Sequence, residues 1–346
     1  APISSGKIKG TKPRHCPSIE AKMLAYPDKK RHRIFLEPEE AEARTIYCNG
    51  LFTSVPKDVQ EKMLHMMPGT ENARIIRYGY GIEYDYCPPV QLRRSLETRK
   101  VGGLFMAGQI NGTSGYEEAA GQGIAAGINA ARKVQGKDVV IFGRDQSYIG
   151  VMIDDLLTKG IDEPYRMFTS RAEFRLWLRS DNADRRLTAL GREIGLADSD
   201  RWKLFSNKLE KINELKSYLR SHRSNSMTMW KHLGQPHNSL ADNLAGLEYI
   251  RSKNYIREVI DAAIIDAKYA GYMEKQNRLA ANFHSREKKK IPDDIDYNQV
   301  LHLRAEARQK FSKFKPATLG QAGRISGITP ADITVVQIHL KKYYRS

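Results

Sequence analysis

Cys16 lies in the run Pro13-Arg14-His15-Cys16-Pro17. The thiolate, not the thiol, is the nucleophile, and neighbouring cations stabilise it. Arg14 and His15 supply that electropositive setting, and Pro17 favours a turn. These residue types could carry covalent attack or proton delivery by a thiol, or the thiol could be structural. Cys48, in Thr45-Ile46-Tyr47-Cys48, is expected in a core, and Cys87, before Pro88-Pro89, in a turn. The chain has 3 cysteines and no C-x-x-C pair. Such a count argues against a disulfide framework and suits a reducing compartment. The 9 histidines show no ligand spacing, so no metal site is expected.

A second candidate spans 102–134. Gly103-Leu104-Phe105-Met106-Ala107-Gly108 reads as a short buried strand, Gln109–Gly115 as a polar loop, and Tyr116–Lys133 as a helix of small residues. A strand leading through a loop into a helix N-terminus is a cradle for an anion or cofactor. Gly108, Gln109, Asn111, Gly112 and Gly115 are the candidate contacts. Gly121-x-Gly123-x-x-Ala126 matches a dinucleotide fingerprint only superficially. It falls inside the helix, where glycines serve close packing. Glu117 and Glu118 sit at the helix's positive end.

Basic side chains give a third pattern. Ser170 and Glu173 fit a capping box, so a helix is expected to begin there. Arg171, Arg175 and Arg179 would then share one face. That stripe could bind phosphates or pair with Asp181 and Asp184 in solvent. Lys288, Lys289 and Lys290 read as a solvated loop.

The elements that must position these groups follow from pattern. Residues 1–33 read as a basic loop with a short helix. Ile34–Pro38 and Thr45–Cys48 read as strands, and Asp58–Met67 as a helix. From about 201 the spacing is helical almost throughout, broken at Pro292–Asp296. Thr329 with Pro330 marks the start of a last helix, and 318–340 resembles a helix-turn-helix. The chain's 346 residues, 40% of them hydrophobic, allow two or three domains. The expected division is 1–140, 141–210 and 211–346. No apolar run is long enough for a transmembrane helix.

Net charge is +17, from 57 basic and 40 acidic residues. Residues 211–346 hold 24 Lys plus Arg and 13 Asp plus Glu, so +11 of the excess lies there. A polyanionic partner, nucleic acid first, follows from that balance.

Several runs taken together resemble the GidA/MnmG family: Lys12-Pro13-Arg14-His15-Cys16-Pro17-Ser18-Ile19-Glu20, Ile82–Tyr86, Gly103–Thr113, Gly115–Ala120, Glu163–Arg171, Asp181–Asp184, Lys268–Tyr272 and Gly320–Gly327. They are ordered and span nearly the whole chain. The resemblance implies the end of an FAD-binding Rossmann-like domain followed by a helical C-terminal domain, an α/β plus all-α chain. It implies FAD-dependent modification of carbon 5 of the tRNA wobble uridine, of aminomethyl or taurinomethyl type. The implied partners are tRNA, an MnmE-type GTPase and a second copy of the chain as a homodimer. NADH would reduce the flavin and methylenetetrahydrofolate would supply the carbon.

Residue by residue, the resemblance makes Cys16 the essential cysteine at the uracil ring, with Arg14 beside it. Gln109 becomes a flavin contact. The stretch from Lys12 to Tyr26 matches one assigned to NAD binding, so Lys12, Pro13, His15, Pro17, Ser18, Ile19, Glu20 and Lys22 join the cofactor candidates. Arg324, in the last matching run, joins Arg171, Arg175 and Arg179 as an RNA contact. The basic composition is similar to the mitochondrial branch, implying the matrix, with a bacterial-type cytoplasm as the alternative.

One departure bears on all of this. No strand here leads into G-x-G-x-x-G, and the family's second functional cysteine has no counterpart. The chain begins without Met, as a cut or processed end would, and is expected to bind FAD poorly alone. Two other readings stay open: a non-catalytic fragment binding tRNA and a partner protein, and a basic flavin oxidoreductase unrelated to RNA.

Overall fold

The computed structural model describes residues 18–81, 84–160, 163–224, 226–236, 240 and 244–344. Cys16, Arg14, Lys12, Pro13, His15 and Pro17 lie outside them.

Near the start, Ser18 Oγ accepts the Ala21 N–H and opens helix α1, Ile19–Ala25. Strands β1, Phe35–Pro38, and β2, Ile46–Asn49, pair antiparallel with Phe35 opposite Asn49 and Leu36 opposite Cys48. This ribbon covers little: all of β1 is exposed, and Cys48 is half-buried. The apolar run around Cys48 therefore builds a surface hairpin, not a core strand. Helix α2, Lys57–His65, follows where helical spacing placed it.

The middle of the chain is organised by two helices. Helix α3, Tyr116–Val134, turns Gln122, Ala125, Ala126 and Asn129 inward. Their offsets of three and four residues make one face. Its small residues permit a close approach at Gly121, where an added Cβ would stand 3.2 Å from Ile149 Cγ1. Gly123 and Gly127 face open space. Helix α4, Tyr148–Thr158, is capped by Ser147 Oγ on the Gly150 N–H and is buried from Gly150 onward. Leu92, Leu96, Ala125, Ala126, Ile153 and Leu157 form the shared apolar cluster.

Two local expectations are corrected. Residues 103–107 form no strand; Phe105 makes only an isolated antiparallel bridge to Glu97, and Gly103 takes φ +83°, which ends extended structure. No helix forms over 170–179 either. A single 3-10 turn, Thr169–Arg171, is followed by turns. Arg171 Nε donates to the Arg166 carbonyl, and Phe174 packs edge-on against Phe283 at 5.3 Å. Tertiary contacts override the capping-box signal there.

The remainder is helical. Helices α5, Ala183–Glu193, and α6, Ser199–Ser221, precede a short ribbon, β3 Arg223–Ser224 and β4 Met227–Thr228. Then come α7 Met229–Leu233, α8 Glu248–Ser252, α9 Arg257–Glu287, α10 Ala305–Phe314, α11 Leu319–Arg324 and α12 Pro330–Tyr343. Thr329 and Asp332 close a reciprocal capping box around Pro330, as the residue types require. Two separate apolar clusters fill this helical part. One gathers Ile212, Leu215 and Leu219 with Val259, Ala263 and Ala267. The other gathers Ile291, Leu303, Phe311, Leu319, Val336 and Leu340.

Candidate functional site

The loop between Gly108 and Gly115 is held from beneath by one amide. Gln122, fully buried on α3, accepts the Gly108 N–H at 2.9 Å and the Asn111 Nδ2–H at 3.0 Å. Its own Nε2 donates to Thr113 Oγ1 at 2.8 Å. One side chain thus ties three points of the loop to the helix. Asn111 also donates to the Met106 carbonyl at 2.9 Å, while its Oδ1 is buried without a hydrogen-bond partner.

Two glycines fit closely against side chains. Gly112 has φ +75°, and a Cβ there would lie 2.7 Å from the Tyr86 ring. At Gly115 a Cβ would overlap the Glu118 carboxylate. Glu118 is buried, accepts the Met167 N–H at 3.0 Å and faces Arg166 Nε at 3.6 Å. The first turn of α3 carries no side-chain cap, and Gln109 is exposed beside it. Gly108, Gln109, Asn111, Gly112 and Gly115 therefore do assemble into one loop.

Below the loop lies a buried ionic cluster. Tyr165 donates its N–H to the Gly112 carbonyl at 2.8 Å and its hydroxyl to Asp155 at 3.2 Å. Arg144, 1% exposed, donates to Asp154 at 3.2 Å and Asp155 at 2.8 Å, and pairs with Glu173 at 3.0 Å. Burial opposes the Arg144 charge, but the three carboxylates hold its pKa above the ordinary value. Burial alone would raise the Asp154 carboxyl; the Arg324 guanidinium bonded to it holds it below the carboxylate range instead. Desolvation, with Asp155 nearby, pushes the Tyr165 hydroxyl well up.

The described cofactor candidates upstream are spent on local structure. Glu20 accepts from Thr53 Oγ1 at 2.6 Å and the Ser54 N–H at 3.2 Å. Burial works against its charge, and these bonds with Ser18 hold its pKa below the ordinary value. Lys22 donates to the Gly50 carbonyl at 3.2 Å, and the Ile19 N–H to Phe52. These bonds run to 50–54 and not to the glycine loop.

The four arginines do not share a face. Arg171 lies over the Tyr165 ring at 4.6 Å, its Nη1 3.6 Å from Asp155. Arg179 grips Asp181 at 2.8 Å and Asp266 at 3.1 Å. Arg324 grips Asp154 at 2.6 Å and Glu287 at 2.7 Å. Arg175 is exposed.

Pattern reading missed Gln122, Tyr165 and the Arg144–Asp154–Asp155 cluster. One signal was available: Asp154-Asp155 interrupts the apolar run Val151–Leu157, and buried acids in such a helix need partners. Among the described residues, no group of three or more His, Cys, Asp or Glu is placed to hold a metal. No described helix is long and apolar enough to cross a membrane.

Comparison with known proteins agrees with this layout. Residues 1–138 match the family model "Glucose inhibited division protein A". Residues 199–277 match the MnmG/GidA C-terminal helical domain, and 279–346 its C-terminal helical bundle. The last two ranges coincide with the two helical clusters above. The tRNA uridine 5-carboxymethylaminomethyl modification enzyme MnmG of Streptococcus thermophilus is 48% identical over 359 residues, covering 99% of this chain and 57% of that protein. Its counterpart in Streptococcus suis is 48% identical over 365 residues, covering 100% and 57%. Aquifex aeolicus GidA in its form II crystal superposes with a TM-score of 0.83 at 46% identity, covering 97% of this chain and 56% of that one. The chain spans little more than half the length of these relatives. With the glycine loop, the helical domain and the bundle all matched in order, the chain belongs to the GidA/MnmG family and corresponds to its C-terminal portion.

Proposed function

We propose that this chain is part of an FAD-dependent enzyme that modifies carbon 5 of the tRNA wobble uridine. The observation that carries the reading is 48% identity to MnmG along 99% of the chain. The loop fits the ring end of a flavin: Asn111 Oδ1 is a buried acceptor without a partner, and the first turn of α3 has no side-chain cap. Gln109 and the Gly108–Gly115 backbone would hold that ring. When bound, FAD supplies the redox chemistry of the reaction, with NADH as reductant and methylenetetrahydrofolate as carbon source.

The chain's own residues bind and orient. Gln122 fixes the loop's shape, and the Glu118–Arg166 pair fixes its exit. Cys16 acts at the uracil ring, by addition or by protonation, with Arg14 beside it. Excess positive charge in 211–346 draws the tRNA backbone. Arg175, the exposed member of its group, is the first phosphate contact to test. An MnmE-type GTPase and a second copy of this chain complete the assembly, and the product is of aminomethyl or taurinomethyl type. The basic composition favours a mitochondrial-matrix setting.

A second reading is favoured by charge, since residues 211–346 carry +11 of the net +17: binding of tRNA and a partner protein without catalysis by these residues. Flavin absorbance of the purified chain after FAD addition separates the two, for only the first reading expects any. Gel shifts with tRNA across a salt series test both readings. Absence of binding at low salt, where phosphate contacts are strongest, would remove RNA from the account. In a complete, active protein, Cys16→Ser should abolish modification and spare tRNA binding.

A further inference from the structure

Ion pairs tie the bundle of residues 288–344, and the end of α9 that leads into it, to the rest of the chain. Arg93 and Arg99 reach Asp293. Arg94 reaches Glu287 at 3.4 Å, and His284 reaches Asp145 at 2.7 Å. Arg324, at the end of α11, stands apart from these. It is itself largely buried, and it meets Asp154 with two bonds, Nε at 2.6 Å and Nη2 at 2.9 Å. Asp154 is 2% exposed and shares Arg144 with Asp155. Asp155 accepts the Tyr165 hydroxyl, and Tyr165 bonds Gly112 and bridges in parallel to Thr113.

We infer that Arg324 is a positioning residue through which docking of the C-terminal bundle sets the conformation of the Gly108–Gly115 loop. The route is a continuous buried chain: Arg324, Asp154, Arg144, Asp155, Tyr165, Gly112. Each link is a hydrogen bond, and most of them are charge-assisted, strong in a water-poor interior and costly to leave half-made. Loss of the Arg324 guanidinium leaves Arg144 as the one cation hydrogen-bonded to the Asp154 carboxylate among the described residues, with Arg94 farther off. Arg144 then shifts toward Asp154 and leaves Asp155 to Lys159 at 2.9 Å and Arg171 at 3.6 Å, which re-aims the carboxylate that accepts the Tyr165 hydroxyl. The loop loses the anchor at Gly112 although nothing near it has changed. Whatever engages the bundle thereby acts on the loop. That the loop serves a flavin rests on the function proposed above, but the coupling stands apart from it, because it can be read on backbone amides without cofactor.

Native-state hydrogen exchange on the whole chain tests this, since amide exchange reports local opening. Arg324→Gln should speed exchange of the Tyr165 and Gly112 amides roughly three- to thirty-fold, the span of coupling energies along packed networks. Amides of α6 and α12 should keep their rates, which shows that both helical clusters stay folded. Tyr165→Phe, which deletes only the hydroxyl link, should give the same loop effect. Adding Arg324→Gln to Tyr165→Phe should then change little, the non-additivity expected of two residues on one route. Unchanged loop exchange in Arg324→Gln overturns the inference, as does full additivity in the double variant. Accelerated exchange throughout the chain also overturns it, because that outcome means general destabilisation rather than a directed route.

Discussion

Gln122 Oε1 accepts the Gly108 N–H at 2.9 Å from a position with no solvent exposure. The same oxygen takes the Asn111 amide, and the other end of the side chain serves Thr113. Replacing Gln122 by Leu keeps the volume and strands these groups in an apolar setting. A buried donor left unpaired costs about 1–3 kcal/mol. Gln122→Leu should therefore lower stability by at least about 2 kcal/mol, read as a lower urea midpoint at constant slope.

Two helical glycines should respond to alanine in opposite directions. At Gly150 the new Cβ would overlap the Gly143 carbonyl and stand 2.7 Å from the Phe142 oxygen. Both are backbone atoms that cannot swing aside, so Gly150→Ala should displace the α4 start and lower the melting temperature markedly. Gly127 has nothing within 4 Å of the added Cβ. There the change only removes unfolded-state freedom, and Gly127→Ala should stabilise by about 0.5–1 kcal/mol.

Arg144 offers a test of buried charge. Arg144→Met leaves Asp154 and Asp155, 2% and 1% exposed, with one neutralising partner fewer. Breaking a buried pair from one side costs about 3–5 kcal/mol. Arg144→Lys should recover only a small part, since one ammonium cannot reproduce the planar fork that spans Asp154, Asp155, Glu173 and two carbonyls. Denaturant midpoints of the two variants decide this.

Acid should loosen the C-terminal bundle through Asp332. Its carboxylate accepts from Arg304 at 2.6 Å and from the Thr329 hydroxyl at 2.7 Å. Arg304's bond, followed by those of Thr329, holds its pKa far below the ordinary value even though burial opposes this. A depressed folded pKa adds stability that is complete above the unfolded value, about 4, and is lost as pH falls toward the folded one. Asp332→Asn should be less stable than the parent at neutral pH, and the gap should narrow below about pH 4. A melting series from neutral to acid pH follows the gap directly.

Legibility in the sequence varied with how local the causes are. The last helix was readable because Thr329, Pro330 and Asp332 make their cap within four residues. Helix α3 and the grouping of Gly108, Asn111 and Gly112 were readable for the same reason. The stretch 170–179 was not, because its conformation is set by Tyr165 beneath Arg171 and by Phe283 more than a hundred residues away. Gln122 was hidden between two glycines in a run suggestive of packing. Its role depends on three groups that only the folded loop brings together. Asp154 and Asp155 announced that partners were needed, yet Arg144 and Arg324 could be named only from their positions in space.

Helix α9 runs unbroken for 31 residues, about 46 Å at the usual rise. Val259, Ala263 and Ala267 clamp its first half against α6, and Glu287 at its far end holds Arg324. The helix thus acts as a lever with its first half in an apolar clamp and its far end held by a smaller seam, Phe283 on Phe174, His284 on Asp145 and Glu287 on Arg94 and Arg324. About 30 Å of helix separate Ala267 from Glu287, so a rocking of about ten degrees at the clamp would carry Glu287 through about 5 Å, beyond the reach of a hydrogen bond. Small adjustments in the helical domain are therefore magnified where the bundle meets the body, and a contact there can be made or broken outright.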